Sequence, residues 1–512
     1  MSVAEDRPAE ERNGWWCSRT AFARLTRACA VLALLMLTLR VAWGWYVGRL
    51  VRTEIAKVRA GGEPLMVSDL STRYVLPEND AWPVLVQAAA TVSTKIDSPR
   101  NSSLDYPNYP PHSQKWMALA AGSEQANAPV FALMRQVAQR PDANPPADAS
   151  AVRSQLNLNG VRGLANVMAD GAEYAQAIGD DALATERLSQ ALRIGNALHR
   201  NNTIIAQLVA IGTDALTVTS AQIIAPGLGT RADRAVPREA ILKLIAQLLK
   251  EDQTWDGVRR SLVSERAVAL AQPAHDATDV WLIRPLAEMR TVWFARNLCF
   301  AIDASELRTK PGVERILAKA PERDEAPIIA FPTPLPKLGR YSRWFTDPRL
   351  VSTGERYLET CFGVIGDRRA AAVSLAAQLY RIDHGKWPAR LDELVPNYLK
   401  SLPPDPYYDD GRPMGYVVLK GALPDGSDRP MVFFDAGETE DVEILPEPMF
   451  GWQMEQRMGR KASREIRQYR DISRFVPALP AASTQAVDRD PGEADAPGNE
   501  AEKQRDADQP KQ

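Results

Sequence analysis

Residues 28–48 read ACAVLALLMLTLRVAWGWYVG, and the reading of this stretch decides how the rest of the chain is placed. Ala28 to Leu39 carry no charge and are rich in Leu and Val. Arg40 interrupts, and Val41 to Gly48 resume the apolar run. As a helix, residues 28–48 would span about 31 Å, close to the roughly 30 Å of bilayer hydrocarbon. Trp43, Trp45 and Tyr46 near the far end suit an interfacial aromatic belt. Arg40 near the middle costs roughly 2.5–3.5 kcal/mol on an insertion scale. Leu32, Leu34, Leu35, Leu37 and Leu39 each return about 0.3–0.6 kcal/mol, and snorkelling of Arg40 lowers its cost further. We therefore expect a single transmembrane helix at 28–48, with the lipid bilayer as its partner.

The flanks bear on orientation. Arg7, Arg12, Arg19, Arg24 and Arg27 precede the span, and Arg49, Arg52, Lys57 and Arg59 follow it. That near-balance does not decide under the positive-inside rule. A short arm before a long C-terminal part points to residues 1–27 as a cytoplasmic arm. The bulk of the chain is then expected outside the cytosol, held by one pass through the inner membrane. The apolar run also matches a signal-peptide core, with Ala42-Trp43-Gly44 as a small-x-small cleavage site, although the preceding arm is long for a signal peptide. Either alternative exports residues 50–512.

Composition narrows the function classes. The chain has 512 residues, enough for about two to four domains, and is 45% hydrophobic. Its 62 Lys and Arg against 64 Asp and Glu give a net charge of −2, so nucleic acid is not an expected partner. Four cysteines exclude a disulfide-dense scaffold, and four histidines leave little for a His-rich metal site. Cys299 and Cys361 share the exported part, where they could pair or stay isolated buried thiols.

Residues 49–322 read as a helical extracytoplasmic domain. It leaves the membrane as a charged stalk, broken at Gly61-Gly62-Glu63-Pro64. Pro99, Pro107, Pro110 and Pro111 mark a loop at 98–114, and Pro141 to Ser150 a linker. Over 151–224, Val161, Leu164, Val167 and Met168, then Leu183, Leu188, Leu192 and Ile194, then Ile204, Ile205, Leu208 and Ile211 recur at helical spacing. The Ala175-x-x-x-Gly179-Asp180-x-x-x-Ala184 pattern resembles the turn of a tetratricopeptide hairpin. One copy makes an ordinary helical hairpin, since a solenoid needs about three. Ile241, Leu244, Ile245 and Leu248 form the next stripe, and 280–309 read as helical with Trp281, Trp293 and Phe294. Trp255, Val258, Leu262, Glu265 and Ala269 put Glu265 in line with an apolar face. A carboxyl there could act as a general acid or base, or pair with a nearby Arg. No second catalytic group is identifiable beside it; His275-Asp276 is the nearest candidate.

Pro327, Pro332, Pro334 and Pro336 make 323–349 a Pro-rich linker. Residues 350–445 then form a small α+β module. Ala372, Leu375, Leu379 and Ile382 give a helical stripe that stops at His384-Gly385. A short helix carries Leu391 and Leu394, and Pro403-Pro404-Asp405-Pro406 forms a rigid turn. Strand-like runs at Met414 to Leu419 and Pro430 to Asp435 form a hairpin. Asp405, Asp409 and Asp410 offer oxygen atoms to a cation, but without the spacing of a twelve-residue calcium loop they read as a solvated turn.

This order resembles the C-terminal part of the major pseudopilin of type II secretion systems. The likeness lies in Tyr380-Arg-Ile-Asp383-His-Gly385-Lys-Trp387-Pro388, Leu402-Pro403-Pro404-Asp405-Pro406 and Gly411-Arg412-Pro413-Met414-Gly415-Tyr416. It covers residues 368–437. A pseudopilin starts with a processed apolar helix bearing Glu at its fifth position, whereas the fifth residue after Gly14 is Arg19. The family's C-terminal calcium loop is not clearly present after Asp435. The resemblance thus implies a pseudopilin-like module on a different kind of chain, not a filament subunit. The overall plan also resembles uncharacterised bacterial membrane-anchored proteins with a helical middle and this ending.

Residues 446–480 form a basic helical segment, with seven Arg and Lys between Arg457 and Arg474, read as a solvated helix. Residues 481–512 lack apolar periodicity and read as a disordered tail. The chain holds no Gly-x-Ser-x-Gly, Walker A, His-Glu-x-x-His, Gly-x-Gly-x-x-Gly or Cys-x-x-Cys motif. We assign no catalytic, cofactor-binding or metal residue and expect no cofactor. The expected class is mainly α. The expected function is a membrane-tethered interaction or structural protein of the bacterial envelope. Envelope or secretion proteins are its expected partners. The alternatives are an accessory factor of a type II secretion or pilin-like assembly, and an exported hydrolase using Glu265.

Overall fold

Gly61 and Gly62 end a helix that begins well before the apolar run. In the computed structural model, which describes residues 19–66, 69–70, 74–93, 99, 112–146, 158–230, 237–271, 284–319, 349–419 and 428–434, helix α1 spans Arg19–Ala60. Its 42 residues make about 63 Å, twice the hydrocarbon thickness. The residues after 48, expected as a charged stalk, continue the helix without a break. Gly62, at φ +68°, takes the left-handed conformation that ends it. From Phe22 to Tyr46 the large apolar side chains are open on all sides, Leu32 being 59% and Leu34 64% exposed.

The other helices follow in chain order: α2 (Trp82–Thr91), α3 (Gln114–Ala126), α4 (Ala128–Gln139), α5 (Leu158–Ala177), α6 (Asp181–Leu198), α7 (Ile204–Ile224), α8 (Arg238–Leu248), α9 (Asp252–Ala271), α10 (Arg284–Ser305), α11 (Lys310–Leu317) and α12 (Arg349–His384). Their starts are local chemistry. The side chains of Ser113, Asp180 and Thr203 accept N–H groups of Trp116, Leu183 and Ala206, satisfying donors that the first turn leaves over. At the α5–α6 turn, the N–H of Asp180 reaches the carbonyl of Ala175 and that of Gly179 the carbonyl of Gln176. Ala175 and Ala184 pack inside this helical hairpin.

Helices α5, α6 and α7 are covered on two sides. On one, α2 and α4 bring Trp82, Leu85, Phe131 and Met134 against Leu164, Met168, Ile194 and Leu198. On the other, α8, α9 and α12 bring Ile241, Leu248, Trp255, Leu262, Phe362 and Leu375 against Leu188, Leu192 and Ile224. This double burial explains the apolar length of α7. Its Ile204–Gly227 stretch is apolar and long enough to cross a membrane by composition, yet most of it is packed inside the protein.

Helix α12 is the deepest element. Every residue from Ala370 to Leu379 is buried, and its apolar side chains share one core with α5 to α9. The described residues of 357–419 and 428–434 are therefore packed with the helical body. After the stop at Gly385 (φ +69°), a 3-10 turn at Leu391–Leu394 buries both leucines. Strand β1 (Gly415–Leu419) pairs antiparallel with β2 (Arg429–Phe433), Gly415 opposite Phe433 and Leu419 opposite Arg429. Val432 and Phe434 join the shared core, and Phe434 lies where a side chain on Gly366 of α12 would be. The strands begin and end within two residues of the sequence expectation. Residues 1–18, the Pro-rich segment at 323–348, His275-Asp276, Trp281, the end of the module at 435–445, the basic segment at 446–480 and the tail at 481–512 lie outside the described residues.

Candidate functional site: the docked apolar helix

The apolar part of α1 is continuous with a part that is held by the body. Val47, Glu54 and Val58 are its buried positions, spaced seven and four apart, so they form one stripe along the helix. Arg296 of α10 donates to Glu54 Oε1 from Nε at 2.9 Å and from a terminal nitrogen at 2.8 Å. Lys57 adds a contact at 3.1 Å. Val58 packs with Leu270 of α9 and Ala295 of α10, flanked by Ile55 and Leu65. Beyond the Gly61-Gly62 turn, Glu63 pairs with Arg266 and, at 3.3 Å, with Arg259. Arg259 also reaches Glu306 at 3.3 Å.

These contacts fix direction. Moving away from the apolar run, Glu54 meets Arg296, Val58 meets Leu270 and Ala295, and Glu63 beyond the helix meets Arg266 and Arg259, the latter also bound to Glu306. So α9 runs towards the apolar segment and α10 runs away from it. Arg284, the first residue of α10, lies eleven residues before Ala295, and Val47 lies eleven before Val58. At about 1.5 Å per residue both sit about 16 Å nearer the apolar end, at the same level. Trp43, Trp45 and Tyr46 come just before that level and are exposed. Trp45 carries the guanidinium of Arg49 at 5.8 Å from its ring centroid. Next to the Arg259–Glu63 cluster, burial and the carboxylates of Glu306 and Glu63 raise Asp303 above the ordinary carboxyl range.

A second polar constellation, which sequence reasoning missed, is wholly buried. His199, at the end of α6, faces the Gln207 side-chain oxygen with Nδ1 at 2.8 Å and Asp214 Oδ2 with Nε2 at 3.2 Å. Gln207 spends its amide N–H groups on backbone carbonyls, the nearest being Asn201 at 2.6 Å. Arg368 of α12 donates to Asp214 Oδ2 at 2.7 Å and to the carbonyls of Leu248, Gln247 and Lys250 at 3.0, 2.9 and 3.1 Å. It thereby satisfies the carbonyl end of α8. Burial pushes the Asp214 carboxyl up, but Arg368 and His199 outweigh it and hold it below its ordinary value. Arg369, the next residue, grips Glu251 with two bonds of 2.7 and 2.6 Å and the carbonyl of Pro404 at 2.7 Å. The His199–Gln207–Asp214–Arg368 part has no opening to solvent, and the network reads as the joint between α6, α7, α8 and α12. Its sequence signal was an Arg pair inside an apolar helix and an Asp in the middle of α7.

The residues singled out from sequence go to separate places. Glu265 is half-buried, and its carboxyl accepts the N–H of Ile204, the first residue of α7. That is a helix-capping position, and burial raises its pKa. Cys299 and Cys361 are free thiols. Cys361 is fully buried and its thiol is pushed up by burial, while Cys299 lies 3.6 Å from a nitrogen of Arg266. Asp409 pairs with Arg315 at 2.6 Å and Asp410 with Arg412 at 2.7 Å. Asp405 is buried and accepts the N–H of Tyr407 at 2.9 Å. No group of three His, Cys, Asp or Glu among the described residues could hold a metal ion.

The residues that carry the resemblance tie the end of α12 to α8 and to the segment that follows it, and that segment to β1. Asp383 accepts from Tyr398 at 2.6 Å and from Arg238 at 2.8 and 2.9 Å. Tyr380 donates to Glu393, Trp387 carries Arg381 at 4.6 Å, and Tyr416 donates to the carbonyl of Pro388 at 2.9 Å. Comparison with known proteins finds no matching family, no matching curated protein and no matching solved structure.

Proposed function

We propose that this chain is a membrane-tethered interaction or structural protein of the bacterial envelope. One pass through the inner membrane holds the helical body outside the cytosol. A single observation carries the reading. An apolar helix left uncovered by protein continues, without a break, into a segment locked onto α9 and α10 by Glu54 and Val58. An exposed apolar helix of this length is costly in water and favourable in lipid. The test is carbonate washing of membranes from bacteria expressing the full chain, followed by protease treatment of spheroplasts. The chain should stay in the pellet, and the body from residue 50 onward should be digested from outside. Release of the intact chain by carbonate, or protection of the body in intact spheroplasts, would overturn the reading. A soluble product starting near Trp45 would replace the anchor with a cleaved signal.

A second reading is an accessory factor of a type II secretion or pilin-like assembly, working through residues 368–437. The motifs at Tyr380–Pro388 and Leu402–Tyr416 favour it. The enclosure of Ala370–Leu379 by the body fits an accessory role better than a filament subunit, whose helix must be free to pack with other copies. Affinity capture from detergent-solubilised membranes separates the two readings. Recovery of pilin-like components supports the second, and their absence leaves the first. Glu265, as a cap on α7, gives no support to a hydrolase.

A further inference from the structure

The end of α9 far from the apolar run borders a small cleft between α4, α6 and the segment after α4. It is shallow and open to solvent, and is lined by Arg140, Arg193, Arg200, Asn196, Gln253 and Asp142 among others. All six polar side chains are half-buried. Three guanidinium groups face one carboxylate, an excess of two positive charges. Two of the three are already positioned. Arg140 donates to the carbonyl of Asp80 at 2.6 Å, and Arg200 pairs with Asp142 at 2.8 Å. Each such contact occupies part of a five-donor fork and leaves the other N–H groups to a ligand. Arg193, Asn196 and Gln253 make no polar contact among the described residues, so their donors are uncommitted. The region around the cleft stays positive: half-buried Arg260 lies near enough to Arg200 for the two to repel, with Asp256 as its counter-charge.

We infer that this cleft binds a small doubly charged oxyanion of the phosphate class, held by Arg193 with Arg140, Arg200 and the amides of Asn196 and Gln253. Planar forked donors gathered around one cleft are the chemistry that selects tetrahedral oxyanions over chloride. The position favours a soluble phosphate over a lipid headgroup. Gln253 lies seventeen residues along α9 from Leu270, about 26 Å further from the apolar segment than the Val58 level. The site is independent of the partner identity proposed above, since it rests on the body alone.

The test is calorimetric titration of the full chain in detergent with inorganic phosphate and with glycerol 3-phosphate, at low salt. Saturable binding of one equivalent is expected. Tighter binding of glycerol 3-phosphate assigns the site to a phosphate ester, and equal binding assigns it to the free ion. Arg193→Gln should weaken binding at least tenfold without shifting the melting temperature measured in the absence of phosphate. Arg193→Lys should lie between, and Arg135→Gln, on the exposed face of α4, should bind as wild type. Absence of saturable heat, or equal binding by Arg193→Gln, overturns the inference. So does binding that occurs only with anionic lipid in nanodiscs.

Discussion

Asp214 accepts Arg368 and His199 in a site with no exposure to water, so its charge is stable only while they stay. Replacing Arg368 by Met keeps the length but leaves the buried carboxylate to His199 alone and three carbonyls without their donor. The expected loss is about 3–5 kcal/mol, the range for breaking a buried pair from one side, read as a lowered midpoint in denaturant. The held-down pKa of Asp214 also has a sign. Its contribution is present above the unfolded value, about 3.9, and disappears as pH falls through the lower folded value. The Arg368→Met variant should therefore unfold at a higher pH in an acid titration than wild type. Glu265 behaves oppositely. Burial holds its carboxyl above the ordinary range, against the pull of the Ile204 N–H. Such a group favours the folded state below its unfolded pKa, and that contribution is lost as pH rises through the folded value. Gln keeps the acceptor without the charge. Glu265→Gln should melt at or above wild type at pH 7, and the difference should vanish near pH 4. A large loss at pH 7 would mean that the carboxylate itself is required.

At the scale of elements, close helix approach is set by glycines. A side-chain carbon on Gly195 of α6 would sit 2.0 Å from Asp214 Oδ1, and one on Gly257 of α9 would sit 2.5 Å from the His199 carbonyl. Gly385 has nothing within 4 Å and needs only its positive φ. Gly385→Ala should thus cost only the left-handed strain, about 1–2 kcal/mol. Gly195→Ala must move α6 from α7 or eject Asp214, and should cost clearly more. Equal losses in thermal melts of the two variants would contradict this ordering. The hairpin depends on a helix as well: a two-stranded ribbon is marginal alone, and here Phe434 and Val432 enter the core beside α12.

For the whole molecule, the grip of α9 and α10 on α1 decides whether the body is rigid on its apolar helix. Glu54→Ala should cost about 1–2 kcal/mol, less than a fully buried pair because Arg296 is 31% exposed. Spin labels on α1 and α9 should show a broadened distance distribution in this variant, with the fold of the body kept. An unchanged distribution would place the grip in Val58 and its neighbours alone. By itself the sequence determined the apolar helix, the stops at Gly61-Gly62 and Gly385, the α5–α6 hairpin broken at Gly179-Asp180, and the β1–β2 pairing. These rest on periodicity, on left-handed turns and on caps, which act within a few residues. Only the tertiary structure decided that α1 runs on to Ala60 and docks, because a stripe of Val47, Glu54 and Val58 among charged neighbours has no meaning until Arg296 and Leu270 are beside it. The same holds for α12, whose alanines stated burial but not against what, for the meeting of Arg368 with Asp214 across 154 residues, and for the gathering of Arg140, Arg193 and Arg200 around one cleft. Long-range pairings depend on packing geometry, which spacing along the chain does not encode.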